Sequence, residues 1–225
     1  MKFAIYNHKG GVGKTTLATH VAFWAMLMGY WLTFLDADRQ ANSMNWLCGH
    51  QWDGEDCFQI DSVTITCNLY RAEDAETLVI DAPPDFDFIE NLTTIDPDVW
   101  VIPIGGRFSV EGAIRVVETI GARHEGRMVL VANMTNPTTK IGRYEIDEAI
   151  KLGIEIFPLA IPRADVVRKA EMLGCPVWDV PYGTRSPATH ALRHFAHWLL
   201  EGADEEFVYG EFGATNEEIL RRYEI

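Results

Sequence analysis

Positive charge is scarce in this 225-residue chain, where 19 lysines and arginines face 33 aspartates and glutamates for a net charge of −14. That balance argues against a general nucleic-acid binder with a uniformly basic surface. Long apolar runs are missing too, and none reaches the roughly eighteen residues that a membrane-spanning helix requires. The N-terminus leads directly into a strand-like segment, FAIYN, with no signal-peptide pattern, so a cytoplasmic protein is expected. Cys48, Cys57, Cys67 and Cys175 never form a C-x-x-C pair, which favours free thiols over a disulfide framework. The absence of internal repeats and low-complexity tracts excludes solenoid and fibrous architectures.

Apolar residues make up 48% of the chain, enough for one full core. Residues 1–202 read as one domain. Residues 203–225 read as an acidic, glycine-interrupted appendage with a short helical candidate at 215–223. Acidity is concentrated: residues 53–96 hold 12 acids and 1 base, and residues 201–225 hold 8 acids and 2 bases, leaving +3 elsewhere. Because screening limits each charge's reach to about 8 Å, a locally basic face is compatible with an acidic protein.

Short aliphatic runs alternate with longer amphipathic stretches, the pattern of βαβ units around a mainly parallel sheet. Strands are expected near residues 2–7, 31–36, 77–81, 99–104, 128–133 and 154–159. Helices are expected near 14–29, 40–48, 87–94, 109–123, 143–151, 164–173 and 186–201. Val63, Ile65 and Cys67 alternate with threonines, suggesting one extra edge strand.

The string KGGVGKTT, Lys9 to Thr16, follows an apolar strand and opens a helix, the setting a phosphate-binding loop requires. Gly10, Gly11 and Gly13 let the backbone turn tightly and point successive N–H groups inward, at the positive end of the following helix. Nucleotide contacts are therefore assigned to Lys9, Gly10, Gly11, Val12, Gly13, Lys14, Thr15 and Thr16. Lys14 would reach the β and γ phosphates of ATP, while the Thr15 hydroxyl would join a Mg²⁺ shell. Two further strands end in carboxylates: FLDADRQANS presents Asp36 and Asp38, and TLVIDAPPDF presents Asp81 before two prolines that force an extended exit. Strand ends are where α/β sheets place ligands. A competing reading has Asp36 and Asp38 capping the next helix.

These motifs resemble the deviant Walker A signature of the ParA/MinD family, in which His8 stands where ordinary P-loops have glycine and Lys9 is the extra lysine. The resemblance covers most of residues 1–200 and implies a three-layer P-loop NTPase fold, ATPase activity and a homodimer formed with ATP. By that correspondence Lys9 crosses the interface to the partner subunit's nucleotide, Asp38 orients the attacking water, and Asp36 and Asp81 support magnesium. Asn133, Pro162 and Arg163 would frame adenine. Arg39 stands where the family has proline, and the role of Asp85 is open.

The D-x-D-x-Q form and the run IPRADVVRKAEMLGCPVWDV most resemble short ParA-type partition ATPases, which position DNA or other cargo. Such proteins are slow alone and are stimulated by a ParB-like partner. They also bind DNA without sequence preference, for which Arg163, Arg168, Lys169, Arg185 and Arg193 are the candidates here; the alternative is that these are solvated surface cations. Two other readings stay open. A metallocentre-maturation ATPase would need paired cysteines, and a MinD-like membrane switch would end in a basic amphipathic helix, whereas TNEEILRRYEI is mixed in charge.

Overall fold

The computed structural model describes residues 1–50, 52–105, 107–122 and 124–202, with residues 107–109 described by their backbone alone. The appendage expected at 203–225, including the helical candidate at 215–223, lies outside the described residues. In chain order the elements are β1 (Lys2–Ile5), α1 (Lys14–Met28), β2 (Leu32–Asp36), α2 (Asn42–Leu47), β3 (Cys57–Ile60), β4 (Val63–Thr66), α3 (Leu69–Ala72) and β5 (Leu78–Asp81). There follow α4 (Ile89–Ile95), β6 (Val99–Ile104), α5 (Arg107–Gly121), β7 (Arg127–Ala132), α6 (Lys140–Ile150), β8 (Glu155–Ile156), α7 (Asp165–Leu173) and α8 (Pro187–Glu201). The strands form one 8-stranded sheet in the order β3-β4-β2-β5-β1-β6-β7-β8. Every neighbouring pair is parallel except β3 with β4.

Side chains alternate between the two faces of a strand, and each face has its own apolar cover. Phe3, Ile5, Phe34, Val79 and Val101 pack with Leu17 and Val21 of α1 and with Leu192 and Phe195 of α8. Ala4, Tyr6, Leu35, Ile80, Trp100 and Ile102 pack on the other face with Leu92 of α4, Val116 of α5 and Ile146 of α6. This is the expected three-layer α/β fold. A slip of one residue in β1 would exchange Phe3 and Ile5 with Ala4 and Tyr6, so burial on both faces holds the register. At about 1.5–3 kcal/mol for each large side chain buried, that pattern outweighs local propensity.

Helix α1 lies between the sheet and α8 and is buried on nearly all sides. It stops at Gly29, which adopts φ 74° while the Tyr30 N–H returns to the Ala25 carbonyl at 2.9 Å. No helix among the described residues is long and apolar enough to cross a membrane.

Three expectations require correction. The strand read from Val63, Ile65 and Cys67 is β4; it is not an edge, because the antiparallel β3 pairs outside it through a tight reversal at Asp61, φ 50°. Strand β3 and the single turn of α3, capped by the Asn68 side chain accepting from the Tyr70 N–H, were not read from the sequence at all. The strand expected over 154–159 keeps only two ladder residues, since Pro158 has no N–H to donate. The chain nevertheless stays against β7, through Phe157 N–H to the Leu130 carbonyl at 2.8 Å and Ile161 N–H to the Ala132 carbonyl at 2.8 Å.

Candidate functional site

Strands β1, β2 and β5 end together at one edge of the sheet. Register pairs Ile5 and Asp36 each with Asp81, so the loop leaving β1 emerges beside two carboxylates. Gly11 and Gly13 take φ 75° and 83°, a left-handed geometry in which L side chains are strained. Gly13 also has no room for a side chain: a Cβ there would lie 2.1 Å from Asn133 Nδ2. The loop is thus a preformed backbone turn opening α1, whose N-cap, Gly13, supplies no side-chain cap.

Lys14 is only 6% exposed, and its ammonium donates to the Lys9 carbonyl at 3.2 Å, folding back over the turn. Burial lowers its pKa, while the charges of Asp81 and Asp38 act in the opposite direction. Lys9 is half-buried, and its backbone N–H donates to Asn7 Oδ1 at 3.0 Å. The Asn7 amide in turn donates to the Pro103 carbonyl at 2.9 Å, tying the loop entrance to β6. Asn7, fully buried, shapes the loop entrance and was not picked out from the sequence; the available signal was an amide at the junction of an apolar strand and a glycine loop.

Asp81 is 1% exposed, and neither carboxylate oxygen has a partner in hydrogen-bonding geometry. Burial, followed by the charge of Asp36, pushes its pKa up to about 7, against the milder opposite pull of the Thr15 hydroxyl, Lys14 and Ser43. A carboxylate this buried, with so little to offset it, is costly. Beside a lysine and a threonine hydroxyl it fits a hydrated Mg²⁺, which keeps most of its waters and needs few direct protein ligands. Among the described residues no group of three or more His, Cys, Asp or Glu side chains could hold a metal by itself.

Asp36 is satisfied by backbone donors: Oδ1 accepts from the Asp38 N–H and Oδ2 from the Met44 N–H, both at 3.0 Å. Burial raises its pKa, and the Ser43 hydroxyl with the two N–H groups lowers it. The helix-capping reading therefore describes Asp36 here, alongside its position next to Asp81. Asp38 is half-buried and accepts from the Gln40 N–H at 3.0 Å, at the rim of the same edge.

The segment after Asp81 is anchored by Tyr6, whose hydroxyl donates to the Asp85 carbonyl at 3.0 Å. Asp85 itself is exposed, and its side chain accepts from the Asp87 N–H at 3.0 Å, so its visible role is to shape the turn.

Two of the expected site residues are engaged by the fold itself. Asn133 does not present its amide at an open edge: it is 2% exposed and donates to the Val12 carbonyl at 2.8 Å, bracing the phosphate loop from below. Arg193, a DNA candidate, lies 5.6 Å over the Trp24 ring and is half-buried, because α8 packs its face against α1. Arg163, Arg168, Lys169 and Arg185 are exposed, and Pro162 is half-buried next to Ile161, which bridges to Asn133. All four cysteines are free, at scattered positions.

A family model described as "CobQ/CobB/MinD/ParA nucleotide binding domain" matches residues 3–177. The maintenance of carboxysome distribution protein A of Halothiobacillus neapolitanus is 25% identical over 198 residues, covering 82% of this chain and 90% of its own. The chromosome-partitioning ATPase Soj of Thermus thermophilus is 24% identical across 91% of this chain and 97% of its own. In fold, the septum site-determining protein MinD of Pyrococcus horikoshii, solved with Mg-ADP, superposes with a TM-score of 0.64 at 16% identity, over 88% of this chain and 95% of that one. With the match spanning the glycine turn and all three strand-end aspartates, the chain belongs to the CobQ/CobB/MinD/ParA family of nucleotide-binding proteins.

Proposed function

We propose that this protein is an ATP- and Mg²⁺-dependent dimerising switch of the ParA type, whose hydrolysis cycle positions DNA or another large cargo. The observation that carries the reading is the Asp81 carboxylate, buried with its pKa raised beside Lys14 and Thr15 at the mouth of a preformed glycine turn. The roles of its relatives, carboxysome distribution and chromosome partitioning, support cargo positioning.

The N–H groups of residues 10–16 and the Lys14 ammonium bind the phosphates and fix their orientation. Thr15, with Asp81 and Asp36 through water, would hold magnesium, which supplies charge neutralisation to the phosphoryl oxygens. Asp38, at the rim, orients the attacking water. Lys9 reaches across a two-fold interface and adds a second cation to the partner's nucleotide, as an arginine finger does. Loss of the γ-phosphate removes these contacts and loosens the dimer, so nucleotide state and assembly are linked. Arg163, Arg168, Lys169 and Arg185 form the DNA-facing set, doubled in a dimer and therefore steeply salt-dependent. A ParB-like activator accelerates an otherwise slow turnover.

The test measures oligomeric mass and duplex-DNA retention without nucleotide, with ADP, and with a non-hydrolysable ATP analogue. Dimer formation and DNA retention with the analogue alone are expected, and Lys9→Ala should bind nucleotide yet stay monomeric. A loaded protein that remains monomeric, or takes up no adenine nucleotide, overturns the switch. DNA retention that ignores nucleotide state overturns the DNA assignment.

A further inference from the structure

A buried carboxylate outside the strand-end cluster has no role in the cycle above. Glu145 on α6 is 4% exposed, and the hydroxyl of Thr135, itself 2% exposed, donates to its Oε2 at 3.0 Å. Burying a carboxylate is expensive unless it serves a geometry that nothing cheaper supplies. The local backbone is built to permit this one. A Cβ on Gly142 would lie 2.0 Å from the Asn136 carbonyl oxygen, so glycine there lets α6 press against the 133–139 loop. Glu145 is three residues on, on the same helical face, directed to Thr135.

Thr135 is the next link. Its N–H donates to the Ile161 carbonyl at 3.1 Å, and its hydroxyl also lies 3.3 Å from the Asn133 carbonyl. Asn133 is clamped from three sides. Its N–H donates to the Ile104 carbonyl at 2.7 Å, its amide to the Val12 carbonyl at 2.8 Å, and Gly105 leaves no space for a Cβ beside its carbonyl. The one Thr135 hydroxyl proton goes to Glu145 Oε2, the shorter contact, so Glu145 pins Thr135, which lies two residues from Asn133 and holds Ile161 through its N–H, while the Asn133 amide carries the connection into the phosphate loop.

From this path we infer that Glu145 is a positioning residue for nucleotide binding, acting through Thr135 to hold Asn133, bridged to Ile161, under the Val12–Gly13 turn. The inference rests on the ATP-binding reading. Its effect falls on the ground-state grip of the nucleotide, because none of these side chains reaches Asp38 or Lys9 in the structure's hydrogen-bond network.

The experiment compares ATP titration calorimetry, steady-state hydrolysis and urea unfolding for wild type, Glu145→Gln, Glu145→Leu and Thr135→Val. Gln keeps an acceptor for the Thr135 hydroxyl and should bind ATP within about twofold of wild type. Leu and the near-isosteric Val break the link and should weaken ATP binding and raise KM by about tenfold, with kcat changed less than twofold. Unfolding separates positioning from folding: the Leu variant replaces a buried polar group with an apolar one, so weaker binding without lost stability supports the assignment. Affinity within twofold of wild type in folded Leu and Val variants overturns it, as does a Gln variant as weak as Leu. If wild type itself takes up no ATP, the ATP-binding reading has failed, and this inference falls with it.

Discussion

Replacing Asp81 by asparagine should make the ligand-free protein more stable and non-functional at once. The Asp81 carboxyl sits at 1% exposure next to Asp36, with only the Thr15 and Ser43 hydroxyls and Lys14 to offset its burial, and its pKa is pushed up from 3.8 to about 7. A folded-state value above the unfolded one means that the folded chain holds the proton more tightly. The stability this contributes is complete below about pH 4 and is lost as pH rises through 7, a swing of about 4 kcal/mol. Asparagine is nearly isosteric and does not titrate, so its advantage over aspartate should grow with pH. Between pH 5 and pH 8 the two-site titration formula makes that growth about 2–3 kcal/mol. Asparagine's own burial cost, about 1–3 kcal/mol, is the same at both pH values and cancels from the comparison. The assay is urea unfolding of both proteins at pH 5 and pH 8, without nucleotide and then with saturating Mg·ATP. Ligand should stabilise wild type by mass action and leave the variant unchanged. A stability difference that is flat with pH, or that shrinks toward pH 8, would refute the picture of an uncompensated charge held ready for magnesium.

Asp38→Ala should retain ATP binding while hydrolysing at least tenfold more slowly, so that gel filtration with ATP shows an accumulated dimer; unchanged turnover would move the water-positioning role elsewhere. His20 is fully buried, with Nδ1–H donating to the Thr16 carbonyl at 2.7 Å and Nε2 accepting from the Val177 N–H at 3.2 Å, and burial depresses its pKa to about 4. The unfolded chain therefore takes up the proton first, and wild type should lose about 2 kcal/mol more than His20→Phe between pH 8 and pH 5 in chemical denaturation. Gly13→Ala places a methyl group 2.1 Å from Asn133 Nδ2 at φ 83°, so it should cost about 1–3 kcal/mol in a thermal melt and abolish nucleotide uptake.

The elements that were legible in the sequence are those with a strong period. The apolar strands around Phe3, Phe34, Val79 and Val101, and the long helices α1 and α8, declare themselves because burial on both sheet faces demands many apolar residues at regular spacing. Strand β3 escaped because its residues Cys57–Ile60 sit among acids and pair only on one side, so little burial marks them. The site divides in the same way. A glycine turn before a lysine and threonine is readable since backbone geometry and phosphate chemistry leave few alternatives. The Asn133 contact to the phosphate loop was not legible, because an amide at a strand end serves a purine edge or a backbone carbonyl equally well, and it is the packing against Gly13 that brings this one to the Val12 carbonyl.

Periodicity by itself pointed to βαβ units around a mainly parallel sheet, and the glycine-lysine-threonine string to a turn opening a helix, because local chain geometry and the demand for two buried sheet faces act on contiguous residues. Tertiary structure alone decided which polar groups are left without partners. Asp36 and Asp81 are both strand-end aspartates in sequence, yet one caps the backbone at Asp38 and Met44 and the other is stranded at a pKa of about 7. That difference arises from donors brought in by α2 and from strand register, neither of which a local window of sequence contains.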